Sequence, residues 1–303
     1  MSELTLGQCS ASRLQASLAS GITLRTGPFQ YRVESRDYRV AEGLGLLYAD
    51  FPLVGDAGLR DFHVRVDSVN GPRRWYRPQV NFWLDKASPF KPLPKEHAFA
   101  LLEWGMNWCI ATFSHHYLLL HAAVLERRGQ CVILPGEPGA GKSTLTAALS
   151  LSGWRLLSDE LTIIDREDGC IVPLARPVSL KNRSIEIIQA FDSGAVMGQA
   201  THDTHKGTVA HLKPPADSVR RMGEKGRAAH IVFPRWVSGA RTRLQSRPKA
   251  DAFMHAASHS FNYSLLGRLG FALNAQLIES CRCWNFEYSE LAEAIRSFED
   301  LTQ

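Results

Sequence analysis

The pattern of apolar and polar positions is clearest in the middle of the chain. Tyr117–Leu125 and Cys131–Leu134 are apolar runs of strand length, and the polar turn between them predicts a hairpin. A glycine-rich segment follows, then a helical pattern over Lys142–Ser152 that Gly153 ends. The next apolar run, Trp154–Leu157, predicts a further strand. The order of strand, loop, helix and strand indicates an α/β core.

The segments on either side of this core are less regular. The first hundred or so residues contain short aromatic-bearing runs between Gly, Pro and Asp turns, which favours a smaller, mostly β module. Glu96–His116 presents the broad apolar surface of a joining helix. We therefore predict a β module over 1–95, a joining helix over 96–116 and a nucleotide-binding domain over 117–303.

The last third of the chain alternates predicted strands and helices. The predicted strands are Leu161–Asp165, Ile171–Val172 and His230–Pro234. A helix is predicted near Ser184–Phe191, and further helical segments are predicted from Ala250 onward. The Gly-, His- and Asp-rich stretch Gly194–Lys213 predicts a loop.

Composition and charge narrow the class of protein. A chain of 303 residues with 45% hydrophobic content is long enough for two domains. The net charge of +5 is scattered, so nucleic-acid binding is not implied. The N-terminus lacks the pattern of a signal peptide, and the longest apolar run contains His121, so we expect a cytoplasmic protein without a membrane partner.

The six cysteines are dispersed along the chain. Cys281 and Cys283 have the spacing C-x-C, but no second Cys/His cluster of zinc-like spacing accompanies them. We interpret them as reduced packing residues.

The glycine-rich segment matches the phosphate-binding pattern G-x-x-x-x-G-K-[ST]. It consists of Gly136, Glu137, Pro138, Gly139, Ala140, Gly141, Lys142 and Ser143, followed by Thr144. Glycines let the backbone turn successive N–H groups inward, and the helix that begins at Lys142 adds the positive end of its dipole. In this pattern the lysine reaches the β- and γ-phosphates and the Ser143 hydroxyl coordinates magnesium. We therefore expect ATP and Mg2+ as cofactors.

Two adjacent carboxylates, Asp159 and Glu160, follow the strand after this helix. A parallel neighbour strand reached through one right-handed crossover would end at the same edge of the sheet as the glycine loop. One carboxylate could then order magnesium while the other accepts a proton from the attacking hydroxyl. We favour Asp159 as the base and Glu160, with Ser143, as a metal ligand. The division of roles stays open, because adjacent strand residues point to opposite faces.

His121 lies on the run that pairs with the strand before the glycine loop. Among the 11 histidines it is the nearest, in sequence terms, to the expected phosphates. Its spacing alone fits a core imidazole as well as a catalytic one.

These residues together resemble the C-terminal kinase domain of bacterial HPr kinase/phosphorylase, within the phosphoenolpyruvate-carboxykinase-like P-loop superfamily. Over nearly its full length the chain is similar to the HprK-related kinase A family. The segments that carry the similarity are His121–Val124, the glycine loop through Thr144, Gly153–Glu160, Arg176–Asn182, Glu103–Trp108, Lys206–His211 and Phe261–Tyr263. The resemblance implies a P-loop kinase core, a mixed sheet flanked by helices, with a smaller N-terminal module.

The resemblance also implies roles for particular residues. HPr kinases carry an Asp-Asp pair whose first member is the catalytic acid or base toward a protein serine, and the similar position here is Asp159. The family's His-Gly before the loop resembles His121-Ala122, which implies a site near the phosphates for His121. The chain departs from the family's Glu-x-Arg-Gly-x-Gly-like signature, having Arg176–Asn182 instead. Kinase activity is therefore expected in preference to HPr specificity or phosphorolysis.

The acceptor that the resemblance favours is a hydroxyl of a peptide or protein, by analogy with relatives encoded beside PqqD-like peptide-binding proteins. Four basic residues are candidates for contacting the transferred phosphoryl group or the acceptor: Arg176, Lys181, Arg183 and Lys206. Solvated surface side chains are the ordinary alternative for each. A homo-oligomer is left open.

Three other functions use the same residues. The first is a small-molecule kinase. The second is an NTP-hydrolysing switch or motor in which Glu160 orients water, although the chain lacks an ABC-type signature segment. The third is an ATP-sensing module that is stabilised by nucleotide but transfers nothing.

Overall fold

The computed structural model describes residues 4–55, 58–69, 71, 75–137 and 139–303. They form an α/β protein with mixed sheets flanked by helices. The contacts divide the chain into two compact units. Unit 1 comprises Met1–Phe113, Ser179–Ile185 and Val196–Lys213, and unit 2 comprises Ser114–Val178, Glu186–Ala195 and Pro214–Gln303. The three-part division into 1–95, 96–116 and 117–303 stays a prediction.

Unit 1 contains a six-stranded mixed sheet and helices. The strands are β1 Ile22–Thr26, β2 Phe29–Ser35, β3 Leu53–Val54, β4 Phe62–Ser68, β5 Gln79–Leu84 and β6 Leu93–Pro94. The helices are α1 Ala11–Ser20, α2 Tyr38–Leu47 and α3 Ala98–Phe113, with short 3-10 turns at Leu6–Gln8 and Lys95–His97. The sheet order is β3-β1-β2-β4-β5-β6, and only the β2–β4 pairing is parallel.

Helix α3 packs against β4 and β5 at very short range. A Cβ added at Gly105 would lie 2.0 Å from the ring of Phe82, so only glycine fits there. The buried hydroxyl of Tyr31 donates to the carbonyl of Met106 at 2.9 Å. The joining helix predicted over 96–116 is therefore found as a buried helix of unit 1.

A small three-stranded sheet is formed by later parts of the chain. Its strands are β12 Val178–Lys181, β13 Thr201–Thr204 and β14 Gly207–Leu212, in the order β12-β14-β13. The loop predicted over Gly194–Lys213 was therefore wrong, because its polar, threonine-containing run pairs as a hairpin. Asn182 (φ 51°) accepts from Thr208 N at 3.0 Å and so fixes the turn of this hairpin.

Unit 2 is built on a second mixed sheet. Its strands are β7 Tyr117–Arg127, β8 Gln130–Pro135, β9 Arg155–Ser158, β10 Leu161–Asp165, β11 Ile171–Val172, β15 Arg227–Trp236, β16 Arg243–Ser246 and β17 Arg282–Tyr288. Its helical elements are α4 Lys142–Leu151, α6 Ala216–Arg220, α7 Lys249–Ser258, α8 Tyr263–Leu266, α9 Arg268–Ser280 and α10 Leu291–Leu301, while α5 Arg183–Phe191 has residues in both units. The main strand order is β11-β10-β7-β8-β15-β17-β16.

Helices cover both faces of the unit 2 sheet. On one face, alternate residues of β7 from Leu118 to Val124 join a core cluster with residues of α7 and α9. On the other face α4 packs on β7, and Phe298 of α10 lies 6.0 Å from Trp154 and 5.2 Å from Phe286. By alternation His121 belongs to the α4 face.

Strand β7 changes partners halfway along its length. Residues 122–127 pair antiparallel with β8, whereas Leu120 bridges Ser260 on a different segment. Leu119 N donates to Asn262 Oδ1 at 3.0 Å, and Asn262 Nδ2 donates to the Tyr117 carbonyl at 2.8 Å. Residues 259–262 thus continue the sheet where β8 leaves it.

Several sequence predictions are confirmed and others corrected. The hairpin, the helix from Lys142, and the strands Leu161–Asp165 and Ile171–Val172 are present. Helices α1 and α2 were not predicted, since α1 buries only two leucines and α2 contains two glycines. The helical run expected from Ala250 is interrupted by β17, whose Cys283, Phe286 and Tyr288 are buried.

Among the described residues no helix is long and apolar enough to cross a membrane.

We expect Asn262→Ala to lower the free energy of unfolding by about 2–4 kcal/mol, because it leaves two backbone groups of β7 without their side-chain partner. Asn285→Ala is the matched control: Asn285 is exposed and accepts from Arg247, so its loss should cost under about 0.5 kcal/mol. Urea unfolding of both variants checks this. Equal stabilities would contradict the role of residues 259–262 as part of the sheet.

Candidate active site

The glycine loop connects the central strand β8 to helix α4. Strand β8 lies between β7 and the parallel strand β15 and ends at Pro135. Gly139 and Gly141 have φ angles of +89° and +86°, which favour glycine. Gly141 is the N-cap of α4, and no side chain caps the helix there. The amide end of α4 therefore opens at the loop, as an anion site requires.

Two residues, one on β15 and one on β17, hold the backbone of the glycine loop by hydrogen bonds. Trp236 N donates to the Ala140 carbonyl at 3.0 Å, and the Tyr288 hydroxyl donates to the Gly141 carbonyl at 3.1 Å. Burial raises the pKa of Tyr288, so its hydroxyl remains a donor. A Cβ at Gly141 would lie 2.5 Å from that hydroxyl oxygen, whereas no atom of the described residues beyond its chain neighbours lies within 4 Å of a Cβ at Gly139.

The acidic pair lies across β7 from the loop. Strands β9 and β10 both run antiparallel along one edge of β7, with Ser158 opposite Val124 and Leu161 opposite His121. Between these two pairings, Asp159 and Glu160 span the level of Ala122 and Ala123 on β7. On the other edge of β7, Pro135 lies opposite Ala122. The register therefore brings the loop and the carboxylates to the same height of the sheet.

The predicted strand arrangement was wrong in one respect. Strand β9 runs in the same direction as β8, but β7 lies between them, so β9 is not the neighbour of β8. After the acidic pair the chain stays in the sheet and pairs with β7 again as β10. Strand β7 has 11 residues, so one of its edges is long enough to pair with both β9 and β10.

The central charged groups are largely removed from water. Lys142 is 8% exposed and Asp159 is 7% exposed, while Glu160, Ser143 and Thr144 are half-buried. Ser158 Oγ accepts from Leu161 N at 3.1 Å and so fixes the turn that carries the carboxylates. In such a low-dielectric region, a charge interacts more strongly with a ligand than it does in water.

His121 lies beside the acidic pair. Its backbone N donates to the His259 carbonyl at 2.7 Å, and its cross-strand partner Leu161 directly follows Glu160. The ring is half-buried and meets Phe261 edge-to-face, 5.5 Å between centroids.

Arg176 belongs to the same unit and is 5% exposed. Leu174 N donates to the Leu157 carbonyl at 2.6 Å, so the backbone before Arg176 runs beside β9. Pro138 of the glycine loop lies outside the described residues.

The other three predicted basic residues belong to unit 1. There Lys206 Nζ lies 5.8 Å above the ring of Trp104, which His205 also contacts edge-to-face. Burial, Lys206 and Lys181 lower the pKa of His205. Lys181 and Arg183 flank Asn182 at the start of α5.

Sequence reasoning missed several groups around the loop. Trp236 and Tyr288 hold its backbone, and His259 Nε2 lies 3.0 Å from Glu137 Oε1. A cleft of about 720 Å³ adjoins Gly136 and Glu137, and its other lining residues include three arginines: Arg235, Arg243 and Arg247. Only the spacing of His255 and His259, one helical turn apart, is a signal visible in the sequence.

Cys281 and Cys283 are buried, at 2% and 6% exposure. Burial raises the pKa of Cys281 to about 12 and also raises that of Cys283, which keeps both thiols protonated. They pack in the core cluster of unit 2, as the sequence predicts.

Comparisons with known proteins identify no family for this chain. No family model matches the chain, and no curated protein matches it. Among solved structures, the chain is similar to an Hpr(Ser) kinase/phosphatase from Coxiella burnetii, with 13% sequence identity over 60% of this chain and 96% of that one. The TM-score of 0.27 is too low for this likeness to bear on fold or function.

We expect Gly141→Ala to destabilise the protein more than Gly139→Ala. Both substitutions place a Cβ at a positive φ, at a cost of about 1–2 kcal/mol, but only that at Gly141 overlaps Tyr288 and Trp236. The overlap should add at least ~1 kcal/mol to the loss in free energy of unfolding. Urea unfolding without nucleotide measures the difference. Equal losses would contradict the loop packing described above.

Proposed function

We propose that this protein is an ATP- and Mg2+-dependent kinase that transfers the γ-phosphoryl group to a hydroxyl group of a peptide or protein. One observation carries the proposal: Pro135, which leads into the glycine loop, and the Asp159–Glu160 pair lie on opposite edges of β7 at the level of Ala122. The strands that lie on either side of β7 are two strand spacings, about 10 Å, apart. That span suits a phosphate chain with an acceptor beyond it.

The loop supplies the phosphate site in this proposal. The uncapped start of α4 and the two glycines of positive φ suit an anion, and the buried Lys142 adds a positive charge. Ser143 and Glu160 offer the hard oxygen donors that magnesium prefers, so the residues fit that ion. When bound, Mg2+ would neutralise charge on the β- and γ-phosphates.

The acidic pair supplies the proton chemistry. Asp159 accepts the proton of the acceptor hydroxyl while the oxygen of that hydroxyl forms the new bond to the γ-phosphorus. The bond from that phosphorus to the β–γ bridging oxygen breaks, and ADP leaves. Glu160 serves as the metal ligand. His121, beside the pair, and the buried Arg176 stabilise the transferred phosphoryl group.

A peptide or protein acceptor is proposed from the sequence resemblance to HPr-kinase-related proteins. Lys181, Arg183 and Lys206 are proposed as acceptor contacts, and a PqqD-like protein as a carrier of the peptide. A small-molecule acceptor is the alternative; incubation with labelled ATP and cell extract, followed by separation of proteins from metabolites, distinguishes the two.

We expect Lys142→Ala or Asp159→Asn to lower phosphoryl transfer about a hundredfold or more, since each removes one preorganised charge or base. The measurement is incorporation of label from γ-labelled ATP. Lys91→Ala and Asp300→Asn are the matched controls, because both side chains are exposed and outside the proposed site. These controls should retain activity.

Two outcomes would overturn the kinase proposal. The first is transfer at the normal rate in Lys142→Ala or Asp159→Asn. The second is ATP turnover without any acceptor that Glu160→Gln abolishes and Asp159→Asn does not, which would identify an NTP hydrolase. Nucleotide-dependent stabilisation without transfer or turnover would instead identify a sensing module.

A further inference from the structure

Three side chains of metal-ligand type meet at the outer edge of the glycine loop. Glu137 belongs to the loop, and His255 and His259 are one helical turn apart at the end of α7. One ligand atom from each lies within 4.8 Å of the others. The imidazole rings stack at 4.3 Å between centroids with an interplanar angle of 8°.

The sheet itself brings these residues together. Strand β8 stops at Pro135, and residues 259–262 take its place beside β7. The hydrogen bond from His121 N to the His259 carbonyl, 2.7 Å, and that from Phe261 N to the Leu119 carbonyl, 2.9 Å, fix this segment. The end of α7 is therefore held next to the first residues of the glycine loop by backbone pairing.

The hydrogen bonds orient the His259 ring as they would for a ligand. His259 Nδ1 lies 3.0 Å from the His255 carbonyl oxygen, which can only accept, and 3.1 Å from Ser258 Oγ. The Ser258 hydroxyl donates to the same carbonyl at 2.9 Å, so Nδ1 carries the proton. His259 Nε2 then faces Glu137 Oε1 at 3.0 Å. A backbone carbonyl that holds the far nitrogen of a histidine is the usual second-layer contact of a metal site.

His255 provides a second nitrogen. Its Nε2 is buried and has no hydrogen-bond partner among the described residues. A buried polar atom without a partner costs free energy, and a metal ion would supply that partner.

We propose that Glu137, His255 and His259 bind a divalent transition-metal ion such as Zn2+. Two imidazoles and one carboxylate suit Zn2+ better than Mg2+, which prefers oxygen ligands alone. Glu137 is 69% exposed in its side chain, so water can complete the coordination. The ion joins the glycine loop to α7.

Arg247 is a positively charged side chain near the site. Arg247 and Asp251 line a hollow of about 540 Å³ that His255 also borders. The Arg247 guanidinium lies 3.9 Å from the Phe233 ring centroid, and its Nη1 donates to Asn285 at 3.0 Å. These contacts hold the guanidinium, and Glu137 brings a negative charge into the cluster itself.

Titration of the metal-free protein with Zn2+ against a chromophoric chelator, without nucleotide, tests this site. We expect one equivalent to bind, with affinity reduced about a hundredfold or more in His259→Ala and in Glu137→Gln, at least the loss caused by removing an outer-layer partner. His63→Ala is the matched control, because His63 Nε2 contacts Glu34 at 2.8 Å in unit 1, outside this cluster. Mg2+ should not compete.

Binding of Zn2+ with unchanged affinity in His259→Ala and Glu137→Gln, or no binding to the unmodified protein, would overturn the proposal. Glu137→Gln alters an exposed side chain, so it keeps the test valid if a histidine variant fails to fold. Co2+ in place of Zn2+ gives an absorption spectrum that reports imidazole ligation, and this spectrum should disappear in His255→Gln. The result is independent of the kinase proposal, because neither nucleotide nor transfer is measured.

Discussion

The change of partners along strand β7 is the constraint on which the site depends. Residues 122–127 pair with β8, and beyond that point residues 259–262 occupy the same edge. Strand β8 therefore has to leave the sheet at Pro135, which is where the glycine loop begins. On the opposite edge, the passage from β9 to β10 places Asp159 and Glu160 at the same height.

The side chains of β7 near Ala122 are small, and the charged groups around them are buried, which favours strong electrostatic interactions. Ala122 and Ala123 are fully buried, and Lys142 and Asp159 are each under one-tenth exposed. Fixed charges in such surroundings act strongly on a ligand and need little reorganisation during a reaction. The backbone of the loop is in turn fixed by Trp236 and Tyr288, so the position of the glycine loop is set by strands β15 and β17.

Local pattern was sufficient to predict the elements nearest the loop. The hairpin of β7 and β8, helix α4 and strand β10 follow from apolar runs separated by glycine and polar turns. The order of strands did not follow, because the position of β7 between β8 and β9 depends on pairing between distant segments. The strands β13, β14 and β17 contain many polar residues, so their pairing partners, rather than their own sequences, determine them.

The candidate site was predictable to the same extent. Lys142, Ser143, Asp159 and Glu160 lie close to predicted strand and helix ends, and local reasoning found them. His259 lies 122 positions after Glu137, and the pairing of residues 259–262 with β7 explains their contact. Lys181, Arg183 and Lys206 belong to unit 1, and their role as acceptor contacts stays a prediction.

The most direct test of the central claim is a crystal structure with a non-hydrolysable ATP analogue and Mn2+ in place of Mg2+, whose anomalous scattering locates the ion. We expect the γ-phosphate between Lys142 and Asp159, with the ion bound by Ser143 and Glu160. Phosphates bound instead among Arg235, Arg243 and Arg247 in the adjoining cleft, away from the acidic pair, would contradict it.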